Sequence, residues 1–104
     1  MKDQIKALAT EYAQEVVDIR RHLHANPELS YQEYNTAKYV AEQLRKIGIE
    51  PTEGVAETGL TALIEGKNPS KKVIALRADL DALPIVEAND VPYRVKINSH
   101  NLIL

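Results

Sequence analysis

Apolar residues recur at Ile5, Leu8, Ala9, Tyr12, Val16, Ile19 and Leu23. That three-and-four spacing places them on one stripe of a helix. Asp3 is positioned to cap its start, and the helix is predicted to run to about His24. Ala25-Asn26-Pro27 follows, and the residue before a proline is driven out of the helical region. A second stripe, Ala37, Val40, Ala41, Leu44 and Ile47, predicts a second helix. Ser30 with Glu33 three residues on has the form of a capping box at its start, and Gly48 is placed to end it in a left-handed turn.

Beyond Gly48 the period shortens. Ile49 to Thr58 is polar and interrupted by Pro51 and Gly54, which predicts a crossover with at most a short edge strand. Leu60 to Glu65 reads as a strand, Gly66 to Lys71 as a turn rich in Gly, Asn, Pro and Ser, and Lys72 to Asp81 as a second strand. The connection is too short for a parallel crossover, so the pair is predicted to be an antiparallel hairpin. Val86 to Tyr93 is loop-like, and the chain closes on the apolar Leu102-Ile103-Leu104. Two helices, a hairpin and an additional edge strand are elements of an α/β layer structure.

The second predicted strand carries the most suggestive chemistry. Side chains alternate along a strand, so Ile74, Leu76, Ala78 and Leu80 share one face, while Val73, Ala75, Arg77, Asp79 and Asp81 share the other. The latter face begins apolar and ends in two carboxylates before Pro84. At the carboxyl edge of an α/β sheet such a pair marks a ligand cleft. A surface ion pair between Arg77 and Asp79 explains the same residues, and from the pattern alone it is slightly favoured.

Composition narrows the picture. The 104 residues suffice for one domain, and 44% hydrophobic with 27% charged residues is ordinary for a globular protein. A net charge of -2 gives no electrostatic reason for a nucleic-acid or anionic-membrane partner. With no cysteine, the chain has no disulfide, no thiolate metal ligand and no cysteine nucleophile. Charged residues break up the N-terminal stretch, so it lacks the apolar core of a signal peptide, and a cytoplasmic location is the default expectation. Arg20, Arg21, His22 and His24 gather at the end of the first predicted helix, where cations are favoured. His22 and His24 lie about 200° apart around a helix axis and make a poor chelate.

Four blocks carry a more specific signal. Arg20-Arg21-His22-Leu23-His24-Ala25-Asn26-Pro27-Glu28-Leu29-Ser30 is followed by Thr58-Gly59-Leu60, then Ala75-Leu76-Arg77-Ala78-Asp79-Leu80-Asp81-Ala82-Leu83-Pro84, then Val91-Pro92-Tyr93. In this order they resemble the metal-dependent amidohydrolases that include hippurate hydrolase, N-acyl-amino-acid amidohydrolases and auxin-conjugate hydrolases. The resemblance implies that residues 1–93 are the opening of a three-layer zinc peptidase-like catalytic domain, with 94–104 a tail that does not follow the family.

It also implies a chemistry. Such enzymes use zinc or manganese to polarise an amide carbonyl and activate the attacking water, with a glutamate as general base. In the wider superfamily a His-x-Asp-x-x-Pro motif ends the corresponding strand. Asp81 matches its aspartate, which supports a metal ligand, and Pro84 matches its proline. Asp79 stands in the histidine's place beside the metal, with Arg77 as a neighbouring support. The later His-Ala-Cys-Gly-His-Asp segment of the hippurate hydrolase branch is absent from these 104 residues.

Two expectations follow from the resemblance. Taken alone, the chain has no complete metal site, binds no metal and is inactive on the acyl-amino acid substrates of the family. Its unpaired strand edges favour self-association. A stand-alone, non-catalytic binding module on the same scaffold is the alternative.

Overall fold

The structure is a computed structural model that describes residues 1–85 and 88–96. Its elements are helix α1 (Lys2–Ala25), helix α2 (Tyr34–Lys46), strand β1 (Thr52–Val55) and strand β2 (Gly59–Thr61). Two helices and a two-stranded antiparallel sheet make a mixed α/β composition. The chain divides into two compact units. One holds Met1–Pro27 with the residues from Pro84 onward, and the other holds Glu28–Leu83. The predicted apolar close at Leu102-Ile103-Leu104 lies outside the described residues.

Helix α1 matches the predicted span closely, although its N-cap is Met1 rather than Asp3. The Ile5 N–H reaches the Met1 carbonyl at 3.0 Å, which starts the helix early and leaves Asp3 inside the first turn. There its carboxylate still faces the positive end of the macrodipole. At the other end Asn26 stops the helix, and its side-chain amide donates to the His22 carbonyl at 2.8 Å. The Asn26 backbone N–H also donates to that carbonyl at 3.2 Å, so the residue closes the helix end through both its backbone and its side chain. The apolar stripe is not a core, since Ile5, Leu8, Tyr12 and Val16 are all exposed. Ile19 and Leu23 further along the stripe are half-buried, and full burial begins where the helix ends, at Ala25 and Pro27.

Helix α2 ends as its sequence predicts. Gly48 adopts φ 84°. Its N–H donates to the Arg45 carbonyl at 3.1 Å, and the Ile49 N–H donates to the Leu44 carbonyl at 3.0 Å. These two bonds form a Schellman motif, which a left-handed residue makes possible. Ala41 is fully buried and Val40 and Leu44 are half-buried, whereas Ile47 is exposed.

The start of α2 departs from prediction. The capping box is absent, because Tyr31 takes φ 63° and a left-handed residue cannot belong to a right-handed helix. The helix therefore begins at Tyr34, and the Glu33 carboxylate turns back to accept from the adjacent Gln32 N–H at 2.8 Å. The free N–H groups of the first turn are satisfied from further away. Glu28 accepts from the Asn35 N–H at 3.3 Å, from the Thr36 N–H, and from the Thr36 hydroxyl at 2.7 Å. A capping acceptor of this kind contributes about 1 kcal/mol to a helix.

The hairpin forms earlier than predicted. Thr52 pairs with Thr61, Glu53 with Leu60 and Val55 with Gly59. A bulge between Glu53 and Val55 coincides with Gly54 at φ 75°. The edge-strand residues are thus half of the hairpin, and 72–81 forms no strand and pairs with nothing among the described residues. Closing the three residues 56–58 costs less chain entropy than closing a six-residue loop. A strand apolar on both faces also needs cover on both faces, and Val73, Ile74 and Leu76 are left exposed here.

Gly59 is required by a close approach, since a Cβ there would lie 2.5 Å from the Val55 carbonyl oxygen. Arg45, after the helix midpoint, bonds Glu50 at 3.0 Å and Glu53 at 2.8 Å, tying α2 to β1 at the surface. These bonds, that to Glu50 first, raise the guanidinium pKa above its ordinary value. A raised pKa stabilises the fold below the unfolded value and is lost only above the folded one, so Arg45 adds no pH dependence in any ordinary range.

Two substitutions test this framework. Gly48→Ala is expected to lower stability by about 1 kcal/mol, because an L-residue is disfavoured at positive φ. Gly59→Ala is expected to cost about 1–3 kcal/mol through overpacking against Val55. Urea-unfolding midpoints measure both.

Candidate functional site

Within the unit Glu28–Leu83 an open cleft of about 890 Å³ has both carboxylates of the third sequence block on its wall, Asp79 and Asp81. Arg77 and Leu80 flank them. Ser30, Tyr31 and Glu33 from the turn before α2, and Thr58 and Gly59 from the hairpin turn, line the same cleft. Three of the four sequence blocks therefore contribute to one cavity.

Local chemistry explains how each side arrives there. The Gln32 N–H donates to the Leu29 carbonyl at 2.9 Å, closing the tight turn that presents Ser30 and Tyr31. Ala56 and Glu57 both take positive φ, 50° and 73°, and turn the chain sharply before Thr58, which is buried. On the third side, the Ala82 N–H donates to the Glu28 carbonyl at 2.8 Å. That bond anchors the segment immediately after Asp81.

The electrostatics are simple. Arg77 donates to the Asp79 carboxylate at 3.0 Å. Both groups are largely exposed, so solvent screens the pair. The ion pair and the cleft position, alternatives in the sequence pattern, are thus present together at Asp79. Pro84 is half-buried and belongs to the other unit.

A catalytic zinc site draws on three protein ligands. Two carboxylates, one already engaged by Arg77, fall short of that number. Among the described residues no group of three or more His, Asp or Glu side chains is arranged to hold a metal ion. The residues present do not by themselves fit a resident catalytic metal.

The unit containing α1 has its own arrangement of sequence blocks. The Arg21 guanidinium lies 4.3 Å from the centre of the Tyr93 ring. The His24 ring meets the same tyrosine edge-on, with centroids 6.2 Å apart. Arg21 and His24 are three residues apart and so share a helix face. Tyr93 is held there by a turn in which the Arg94 N–H donates to the Val91 carbonyl at 3.1 Å, and by the Lys96 N–H on the Ala25 carbonyl at 3.0 Å. The first and fourth blocks, 61 residues apart from Ser30 to Val91, come together by cation–π and edge contacts.

Glu28 is the residue that pattern reading passed over. Its signal was a carboxylate directly after Pro27 and ahead of a helix start, but the favourable Ser30 and Glu33 spacing drew the capping role away from it.

The chain is 49% identical over 96 residues to thermostable carboxypeptidase 2 of Saccharolobus solfataricus, a match covering 91% of this chain and 24% of that protein. It is 43% identical over 95 residues to the N-acyl-L-amino acid amidohydrolase of Geobacillus stearothermophilus, covering 91% and 25%. With the hippurate hydrolase of Campylobacter jejuni it shares 45% identity over 78 residues, covering 75% and 20%. No family model and no solved structure matches. The chain is a homologue of these amidohydrolases and carboxypeptidases, and it spans about a quarter of the length of the curated relatives it matches. Among the described residues no helix is long and apolar enough to cross a membrane.

Thermal unfolding of two Tyr93 variants tests the α1 arrangement. Tyr93→Phe keeps a ring for Arg21 and is expected to change stability little. Tyr93→Ala is expected to lower it by about 0.5–1 kcal/mol, the range for an exposed cation–π pair.

Proposed function

We propose that this chain is the opening segment of a metal-dependent amidohydrolase that cleaves the amide bond of N-acyl amino acids or related conjugates by metal-activated water. The observation that carries the reading is that Asp79 and Asp81 line one cleft together with the Ser30 turn and the Thr58-Gly59 turn, in a chain 43–49% identical to carboxypeptidase and amidohydrolase relatives. The names of those relatives, an N-acyl-L-amino acid amidohydrolase and a hippurate hydrolase among them, support the substrate class.

In this reading Asp81 supports a metal ligand and Asp79 stands beside the metal. Arg77 balances the charge of Asp79, and Pro84 fixes the chain direction after the pair. Zinc or manganese supplies the activated water when bound. The metal ligands and the general base come from sequence beyond this quarter of the enzyme, so the 104 residues alone do not turn over substrate. The whole acts in the cytoplasm without a nucleic-acid or membrane partner. Exposed Leu63, Ile64, Val73, Ile74 and Leu76 give the isolated chain an adhesive surface through which it self-associates.

The purified chain, supplied with N-acyl amino acids and either zinc or manganese, is expected to show no hydrolysis above the metal-only control. Clear turnover sinks the claim that ligands and base lie elsewhere. Light scattering after size exclusion is expected to give a mass above that of one chain, and a strict monomer favours the stand-alone binding module instead.

A further inference from the structure

Glu28 is engaged at both its side chain and its backbone within the unit Glu28–Leu83. Its carboxylate holds the first turn of α2 through the Asn35 N–H, the Thr36 N–H and the Thr36 hydroxyl. Its carbonyl holds the Ala82 N–H at 2.8 Å, one residue beyond Asp81. The helix is the most regular element of this unit, with Ala41 fully buried, whereas 72–81 has no sheet partner among the described residues. The Ala82 N–H bond tethers that segment on its carboxyl side, and its acceptor belongs to the same residue whose carboxylate is held by the first turn of α2.

We propose that Glu28 is a positioning residue that transmits the rigidity of α2 to the Asp79–Asp81 wall of the cleft. The carboxylate sets where the Glu28 backbone stands, and the Glu28 carbonyl then sets where the chain after Asp81 stands. Charge-assisted hydrogen bonds suit this role because they are shorter and stronger than neutral ones. The cleft role of Asp81 rests on the amidohydrolase reading, but the tether itself does not.

Amide hydrogen exchange on the full 104-residue chain, read residue by residue by NMR, tests it. In Glu28→Ala the Ala82 amide is expected to exchange about tenfold faster or more, while the amides of the α2 interior around Ala41 keep their protection. Glu28→Gln retains a side-chain carbonyl oxygen that accepts from Asn35 and Thr36, and is expected to restore most of the Ala82 protection. An Ala82 rate unchanged in Glu28→Ala overturns the proposal. So does a uniform rise across α2 and Ala82 together, which makes Glu28 a general stability residue. For a Glu28→Ala chain that does not fold, Glu28→Asp draws the carboxylate back from the first turn of α2 by one methylene, and an Ala82 rate that it leaves unmoved likewise counts against the tether. None of these outcomes depends on hydrolysis, so failure of the tether and failure of the enzymatic reading remain distinguishable.

Discussion

The carboxylate of Glu28 satisfies the start of a helix that lies six residues further along the chain, and the same residue's carbonyl holds the segment after Asp81. A helix leaves its first N–H groups without intrahelical partners, and each one left dry and unpaired is costly. Here the nearby candidates are unavailable. Tyr31 is left-handed, which delays the helix past Ser30, and Glu33 is occupied with Gln32. A residue outside the turn takes the role, and the turn between them becomes one wall of the cleft.

Turn chemistry also shapes the hairpin side of the cleft. Gly54 allows the bulge, Ala56 and Glu57 reverse the chain at positive φ, and Gly59 leaves space for the Val55 carbonyl. Each device acts over a few residues, and together they bring Thr58 and Gly59 to the cavity that Asp79 and Asp81 also line. The polar groups thus meet through turns and one backbone tether. A central parallel sheet, the usual means of gathering strand ends in α/β proteins, is not formed by the described residues.

Several features were legible in the sequence because they depend on nearest neighbours. Asn26-Pro27 ends α1, Gly48 closes α2, and the apolar stripe of α2 buries Ala41. The pairing of the strands was not legible. Residues 60–65 and 72–81 have the better strand composition, but composition does not say which partner a short strand takes, and the tighter turn at 56–58 prevailed. The exposed stripe of α1 and the exposed Val73, Ile74 and Leu76 share one cause: amphipathic periodicity records which side an element can bury, and burial itself needs a second layer.

The candidate site divides in the same way. Asp79, Asp81 and the neighbouring Arg77 could be read from alternation along one segment, and the family resemblance from four ordered blocks. Relatives at 43–49% identity agree with that resemblance. The sequence by itself therefore determined the helices, their carboxyl ends, the residues of interest and the hydrolase kinship, because all of these follow from local spacing and residue identity. Only the tertiary structure decided that Glu28 caps α2 and tethers Ala82, that the hairpin closes at 56–58, and that Tyr93 lies against Arg21 and His24. Those contacts join residues far apart in the chain, and their partners are selected by competition among several acceptable donors and acceptors that no local pattern ranks.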